Sequence, residues 1–196
     1  MTPSEDESMR LDRGPDLSRV LLLCVDMQPI FIQAVGGGTH VQRRCEFAIA
    51  AARGLGLSVA FSEQVPEKLG GTAKELLALV PDAPVFGKNT FSALANEGLR
   101  DAFLHERGLD HLLLCGVETP VCIYQTAIAA MADDLEVTVL SDAVGARRSD
   151  DAAVCLAALR HAGAHVLPAE TIFYSLLGSV AHPYFRNYTR LVKNYG

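Results

Sequence analysis

Val20 to Val25 reads VLLLCV, six residues with no polar side chain at either parity. Successive side chains of a strand point to opposite faces, so a strand of this kind has to be buried on both. Further short apolar runs follow: Leu57–Phe61 (LSVAF), Pro84–Gly87 (PVFG), His111–Cys115 (HLLLC), Glu136–Leu140 (EVTVL) and Ala164–Leu167 (AHVL). Helical patterns separate them. One runs from Thr39 to about Arg53 and ends at Gly54 and Gly56; one spans Thr72–Val80 before Pro81; Glu97–Arg107 is amphipathic; another opens at Thr119-Pro120. Ser149 can cap a helix over Asp150–His161, and Ala169–Leu177 reads as a further helix. Strands alternating with helices imply a parallel sheet covered on both faces. With right-handed crossovers the expected fold class is α/β, a doubly wound three-layer sandwich with a six-stranded parallel sheet in the order 3-2-1-4-5-6. It is expected over residues 20–196, with residues 1–19 as a flexible leader.

In such sheets ligands bind beyond the carboxyl ends of the strands, where the winding reverses. Asp26 and Lys88 each follow a strand directly, and Cys122 lies just beyond the fourth strand in CGVETPVCIYQTAIAAM, residues 115 to 131. The expected order places Asp26 and Cys122 across one crevice. A helix start carries unpaired N–H groups and partial positive charge, which lower the pKa of a thiol there. Asp26 could take the thiol proton, Lys88 would supply a fixed positive charge, and backbone N–H groups at and before Cys122 could bind an oxyanion. Taken singly, each residue has a plainer role: a buried structural thiol, a turn-capping carboxylate (Asp142 is placed similarly after the fifth strand), a solvated lysine. Only the three together favour acyl transfer through a thioester.

The formal net charge is −6 and no Lys/Arg cluster offers a footprint for nucleic acid. No apolar run reaches the ~20 residues of a membrane span. Five cysteines, an odd number without disulfide-framework spacing, fit a reducing cytoplasm. The six histidines are scattered, and His161 and His165 straddle a helix end and a strand, so neither metal nor cofactor is expected. The aromatic tail from Tyr174 to Tyr188 is apolar enough to suggest packing on a neighbouring subunit, hence a homo-oligomer.

The segments LLLCVDMQ, FGKNTFSAL and CGVETPVCIYQTA resemble the isochorismatase-like cysteine hydrolases, and SDAVGARRSD resembles that family's Asp-Ala segment. SEQVPEKLG and LLGSVAHPYFRNY are similar to its isochorismatase-domain-containing subgroup. The resemblance implies Asp26 as general base, Cys122 as nucleophile and Lys88 between them. It also implies a cis peptide between Val117 and Glu118, with the Glu118 and Cys122 N–H groups as oxyanion hole. Phe31, Glu63, Phe86, Phe91 and Tyr124 are candidate pocket walls. Nicotinamidases of the family bind a metal through an Asp and histidines after the second strand; here that loop, Ser62 to Glu67, has no histidine. Isochorismatase itself cleaves a vinyl ether without a cysteine nucleophile. The resulting expectation is a metal-independent hydrolase of a small C–N substrate. The alternatives are a non-catalytic binding or assembly protein, isochorismatase-type ether hydrolysis, and a redox role for Cys122.

Overall fold

The computed structural model describes residues 16–195. Most of the expected leader lies outside them; its end, Leu17–Arg19, forms a short 3-10 turn leading into β1. The strands are β1 (Val20–Val25), β2 (Ser58–Gln64), β3 (Val85–Lys88), β4 (His111–Val117), β5 (Glu136–Gly145) and β6 (His165–Leu167). All pair in parallel, in the order β3-β2-β1-β4-β5-β6, as the alternation of runs implies. The helices are α1 (Pro29–Ala34), α2 (Gly38–Leu55), α3 (Pro66–Leu69), α4 (Lys74–Leu77), α5 (Glu97–Arg100), α6 (Tyr124–Ala132), α7 (Ser149–His161), α8 (Ala169–Leu177) and α9 (Phe185–Tyr195).

The period of two in β1 and β4 divides their side chains between two cores. Leu22, Cys24, Leu113 and Cys115 meet α2, α8 and α9 on one face. Leu21, Leu23, Leu112 and Leu114 meet α6 and α7 on the other. Every residue of β1 is buried, which explains why its sequence lacks the polar alternation of a half-exposed strand. Among the described residues no helix is long and apolar enough to cross a membrane.

Several boundaries move for identifiable reasons. β2 continues past Phe61 to Gln64 because Ser62 to Gln64 pair with Phe86 to Lys88, and the Asp26 N–H donates to the Ser62 carbonyl at 2.9 Å. β5 continues past Leu140 to Gly145 because the β4–β5 register shifts between Leu114 and Gly116, letting Gly116 and Val117 pair with Val144 and Gly145. Ser149 begins α7 instead of capping it. The expected helix over Thr72–Val80 contracts to α4, and Glu97–Arg107 divides into α5 and a wider turn over Asp101–His105.

The aromatic tail packs on its own chain. Tyr188 is fully buried, with its ring 5.9 Å from Phe47 and 4.9 Å edge-on from Tyr174. Its hydroxyl donates to the Glu170 carbonyl at 3.2 Å, and Tyr184 donates to the Ala50 carbonyl at 3.3 Å. The tail covers α2, so its apolar character no longer argues for a partner subunit.

A tight point of the fold lies at the mouth of the β1–β4 crevice. Gly116 has φ +123°, and a Cβ there would stand 2.1 Å from the Val25 carbonyl oxygen. Only glycine lets the two strand ends approach this closely. Gly116→Ala is expected to destabilise the protein by roughly 2–3 kcal/mol, a fall in melting temperature of about 4–12 °C. Gly36→Ala, where a Cβ meets nothing within 4 Å, should melt close to wild type in the same calorimetric scan.

Candidate active site

Asp26 ends β1 and leaves it in a left-handed conformation, φ 54°. For a non-glycine residue this costs roughly 1–2 kcal/mol, and it is held in place from several sides. The Ser62 hydroxyl donates to Asp26 Oδ1 at 3.0 Å, and Lys88 Nζ donates to Oδ2 at 2.7 Å. Both members of this ion pair are buried, their side chains 1% (Lys88) and 2% (Asp26) exposed. Lys88, the last residue of β3, also donates to Gln64 Oε1 at 2.5 Å and the Thr90 carbonyl at 3.3 Å. Its three protons are thus matched by oxygen acceptors, and Cys122 Sγ lies at the edge of their reach, 3.6 Å away.

Cys122 enters from the other half of the sheet. β4 ends at Val117; Glu118 turns the chain with φ 57° and ψ 63°, and Thr119–Ile123 form a wide turn leading into α6. The Ile123 N–H reaches back five residues to the Glu118 carbonyl at 3.3 Å. Wide turns of this kind recur at functional sites. The Thr119 hydroxyl anchors this one by donating to the Gly145 carbonyl at 3.0 Å. The expected cis peptide between Val117 and Glu118 does not occur: no described peptide bond is cis. The left-handed backbone at Glu118 reverses the chain, so a trans bond suffices.

The thiol also departs from expectation. Its pKa is pushed up to about 12, first by burial and then by the Asp26 carboxylate; Lys88 pulls the other way and does not win. The helix start does not make a resting thiolate here, because desolvation and a nearby anion both penalise one. Cys122 rests as a thiol, with the Asp26 carboxylate close enough to act on it.

Asp26 and Cys122 floor a cavity of about 400 Å³, with Lys88 buried behind them. Ile30, Phe31, Ala34, Phe91 and Val121 form its apolar walls, and Gln64, Glu118 and Arg147 contribute polar groups. Phe31 and Phe91 are where the sequence suggested; Phe91 is 54% exposed, at the mouth. The loop carrying it is tied to α6 by the Ala93 N–H, which donates to Thr126 Oγ1 at 2.9 Å. Three candidate wall residues do not line the cavity. Phe86 packs edge-on against Phe103, Tyr124 packs into the α6 core, and Glu63 turns into its own loop to accept from the Thr72 N–H at 2.6 Å. Each sits on the parity or helix face that points away from the crevice. Asp142 is structural, accepting from the Arg44 guanidinium and from the Ala169 N–H at the start of α8. A second depression, of about 290 Å³ between Arg53, Val59 and Arg107, touches none of the reactive residues.

The sequence did not reveal Gln64, Arg147 or Gln28. Gln28 is fully buried; its amide donates to the Gln64 and Gly70 carbonyls and accepts from the Gln64 N–H, setting the end of β2 that carries Gln64. A glutamine at a strand's carboxyl end, two residues after the Ser62 that meets Asp26, was the available signal for Gln64. Nor could spacing show that Cys24, Cys45 and Cys115, from β1, α2 and β4, bring their sulfurs within 4.8 Å of one another. Burial pushes the Cys45 thiol well up, and the neighbouring Cys24 thiol does the same to Cys115. They pack as protonated thiols in the α2-side core, and a soft cation would have to displace those protons. At the position of the nicotinamidase metal, Glu63 is already committed to Thr72 and no histidine occurs in Ser62–Glu67, so that donor set does not fit a metal.

Comparison with known proteins agrees with this architecture. A family model described as Isochorismatase domain matches residues 20–171. Isochorismatase domain-containing protein 2 of Bos taurus is 35% identical over 178 residues, covering 90% of this chain and 83% of that protein. A structure described as MAR1 ribonuclease from Caenorhabditis elegans superposes with a TM-score of 0.85 at 26% identity, over 92% of this chain and 93% of that one. The YcaC gene product of Escherichia coli, described as an octameric hydrolase of unknown specificity, gives a TM-score of 0.73 at 20% identity, over 100% of this chain and 98% of that one.

The raised thiol pKa has a direct kinetic signature. Iodoacetamide labelling of Cys122, followed by peptide mapping, should rise about tenfold per pH unit from pH 7 to 10 without levelling off. Asp26→Asn removes the anion that raises the pKa and should speed labelling at pH 8, whereas Lys88→Met removes the opposing cation and should slow it. A wild-type plateau below pH 8 would contradict the resting thiol.

Proposed function

Because the chain belongs to the isochorismatase domain family, we propose that it is a hydrolase of small amide-type C–N bonds that works through a thioester on Cys122. The observation that carries this reading is the buried cluster in which Lys88 meets both Asp26 and Cys122, the latter two lining the apolar cavity. Asp26 takes the thiol proton as sulfur forms its bond to the carbonyl carbon, so no free thiolate has to accumulate at neutral pH. Lys88 stays paired with Asp26, offsets the developing negative charge at sulfur and keeps the carboxylate in place. The backbone N–H groups of Glu118 and Cys122 are proposed to receive the carbonyl oxygen as it becomes an oxyanion. The tetrahedral intermediate collapses, the C–N bond breaks, and Asp26 returns the proton to the departing amine. Water then attacks the thioester carbonyl, giving its proton to Asp26; the carbon–sulfur bond breaks, the carboxylic acid leaves and Cys122 regains its proton.

A cysteine beside the buried Asp26–Lys88 pair favours this reaction over vinyl ether hydrolysis, which needs no nucleophilic sulfur. The small apolar cavity and the net charge of −6 also favour a small neutral substrate over RNA, although a relative carries a ribonuclease description. A homo-oligomer belongs to the same proposal, supported by the octameric E. coli structure, and so does a cytoplasmic location, supported by five cysteines without disulfide-framework spacing.

A panel of small primary amides is the test, read by ammonia release, with an RNA oligonucleotide alongside. Cys122→Ala should abolish release, and Asp26→Asn should lower kcat by about 10²–10⁴-fold. Full activity in Cys122→Ala, or RNA cleavage that needs Cys122 without any amide turnover, would overturn the reading.

A further inference from the structure

Glu118 stands out among the groups lining the Cys122 cavity. Its Oε1 accepts from Arg147 Nε at 2.9 Å, whereas its Oε2 is buried and has no hydrogen-bond partner among the described residues. A buried acceptor left unmatched is costly, and a donor from a ligand would satisfy it. Glu118 and Arg147 also border an adjoining cleft of about 260 Å³, so the pair forms a partition at one side of the cavity. Charge narrows the choice of ligand. Asp26 is neutralised by Lys88, Glu118 by Arg147, and the neighbouring Arg148 by Asp151. The polar groups around the cavity therefore cancel in pairs, and a charged ligand would upset that balance. The remaining walls, Ile30, Phe31, Ala34, Phe91 and Val121, call for an apolar stretch.

We propose that Glu118 is the specificity-determining residue of the cavity: it selects neutral amides whose acyl part has an apolar stretch ending in an O–H or N–H donor, which Oε2 accepts. This rests on the hydrolase reading for the placement of the amide at Cys122, but the discrimination itself is a binding property. The Arg147 guanidinium, with its side chain 64% exposed, holds the Glu118 carboxylate in position through Oε1.

The experiment uses full-length Cys122→Ala protein, so that binding is read without turnover. Calorimetric titrations compare alkanamides with ω-hydroxyalkanamides of the same length, from three to seven carbons, and with the matching ω-carboxylate amides. At one chain length the hydroxyl is expected to tighten binding by about tenfold or more. Adding Glu118→Ala should erase that advantage, while Glu118→Gln, which keeps an amide oxygen as acceptor, should retain part of it; melting scans establish that both variants fold. Equal binding of hydroxyl and alkyl amides at every length, or no binding of any amide, would overturn the inference. So would preference for the carboxylate series that disappears in Arg147→Ala, since the cavity would then be read by the cation. Wild-type turnover of the same compounds is measured separately. Discrimination without turnover leaves this inference standing and defeats the hydrolase; turnover without discrimination does the reverse.

Discussion

The buried ion pair between Lys88 and Asp26 joins the end of β3 to the end of β1 across the intervening β2. Taking either partner away would leave an isolated charge in a dry site, a loss of about 3–5 kcal/mol in comparable cases. The surroundings are arranged accordingly. Ser62 and Gln64, both on β2, supply further hydrogen bonds to the carboxylate and the ammonium, and the buried Gln28 amide holds the end of β2 in place. The cavity floor is therefore built from three strand ends fastened to one another.

The same pair controls the thiol. Lys88 spends its protons on oxygen acceptors, so Cys122 feels the cation at 3.6 Å but also the carboxylate that the cation holds. Burial and the anion prevail, and the sulfur keeps its proton; in the proposed reaction Asp26 takes it only as sulfur attacks the substrate. A thiol held protonated in this way is also less open to alkylation or oxidation at rest. Two left-handed non-glycine residues, Asp26 and Glu118, border this floor from β1 and β4. Strain of this kind persists where the surrounding contacts over-determine the backbone, and here those contacts are the ion pair on one side and the Thr119–Gly145 tie on the other.

Much of this was visible in the residues. The unbroken run VLLLCV could be satisfied only by a doubly covered strand, and strand–helix alternation then left few topologies. Asp26, Lys88 and Cys122 could be picked out because each directly follows, or opens the helix after, such a run. The walls were harder to read. Phe31 and Phe91 face the cavity, whereas Phe86 and Tyr124 turn into the core on the α6 side, and a single aromatic in a short loop or strand carries no periodic signal of its facing. The tail misled for a related reason: apolar residues there imply that something must cover them, and α2 of the same chain does so.

The sequence by itself determined the layer architecture, the strand order and the meeting of Asp26, Lys88 and Cys122 at one sheet edge, because those follow from local periodicity and chain connectivity. The tertiary structure alone decided the protonation of Cys122, the trans turn at Glu118, the recruitment of Gln64 and Arg147, and the gathering of Cys24, Cys45 and Cys115 in one core. Those outcomes depend on through-space distances, burial and competing charges between segments far apart in the chain. No spacing rule along the sequence encodes such quantities.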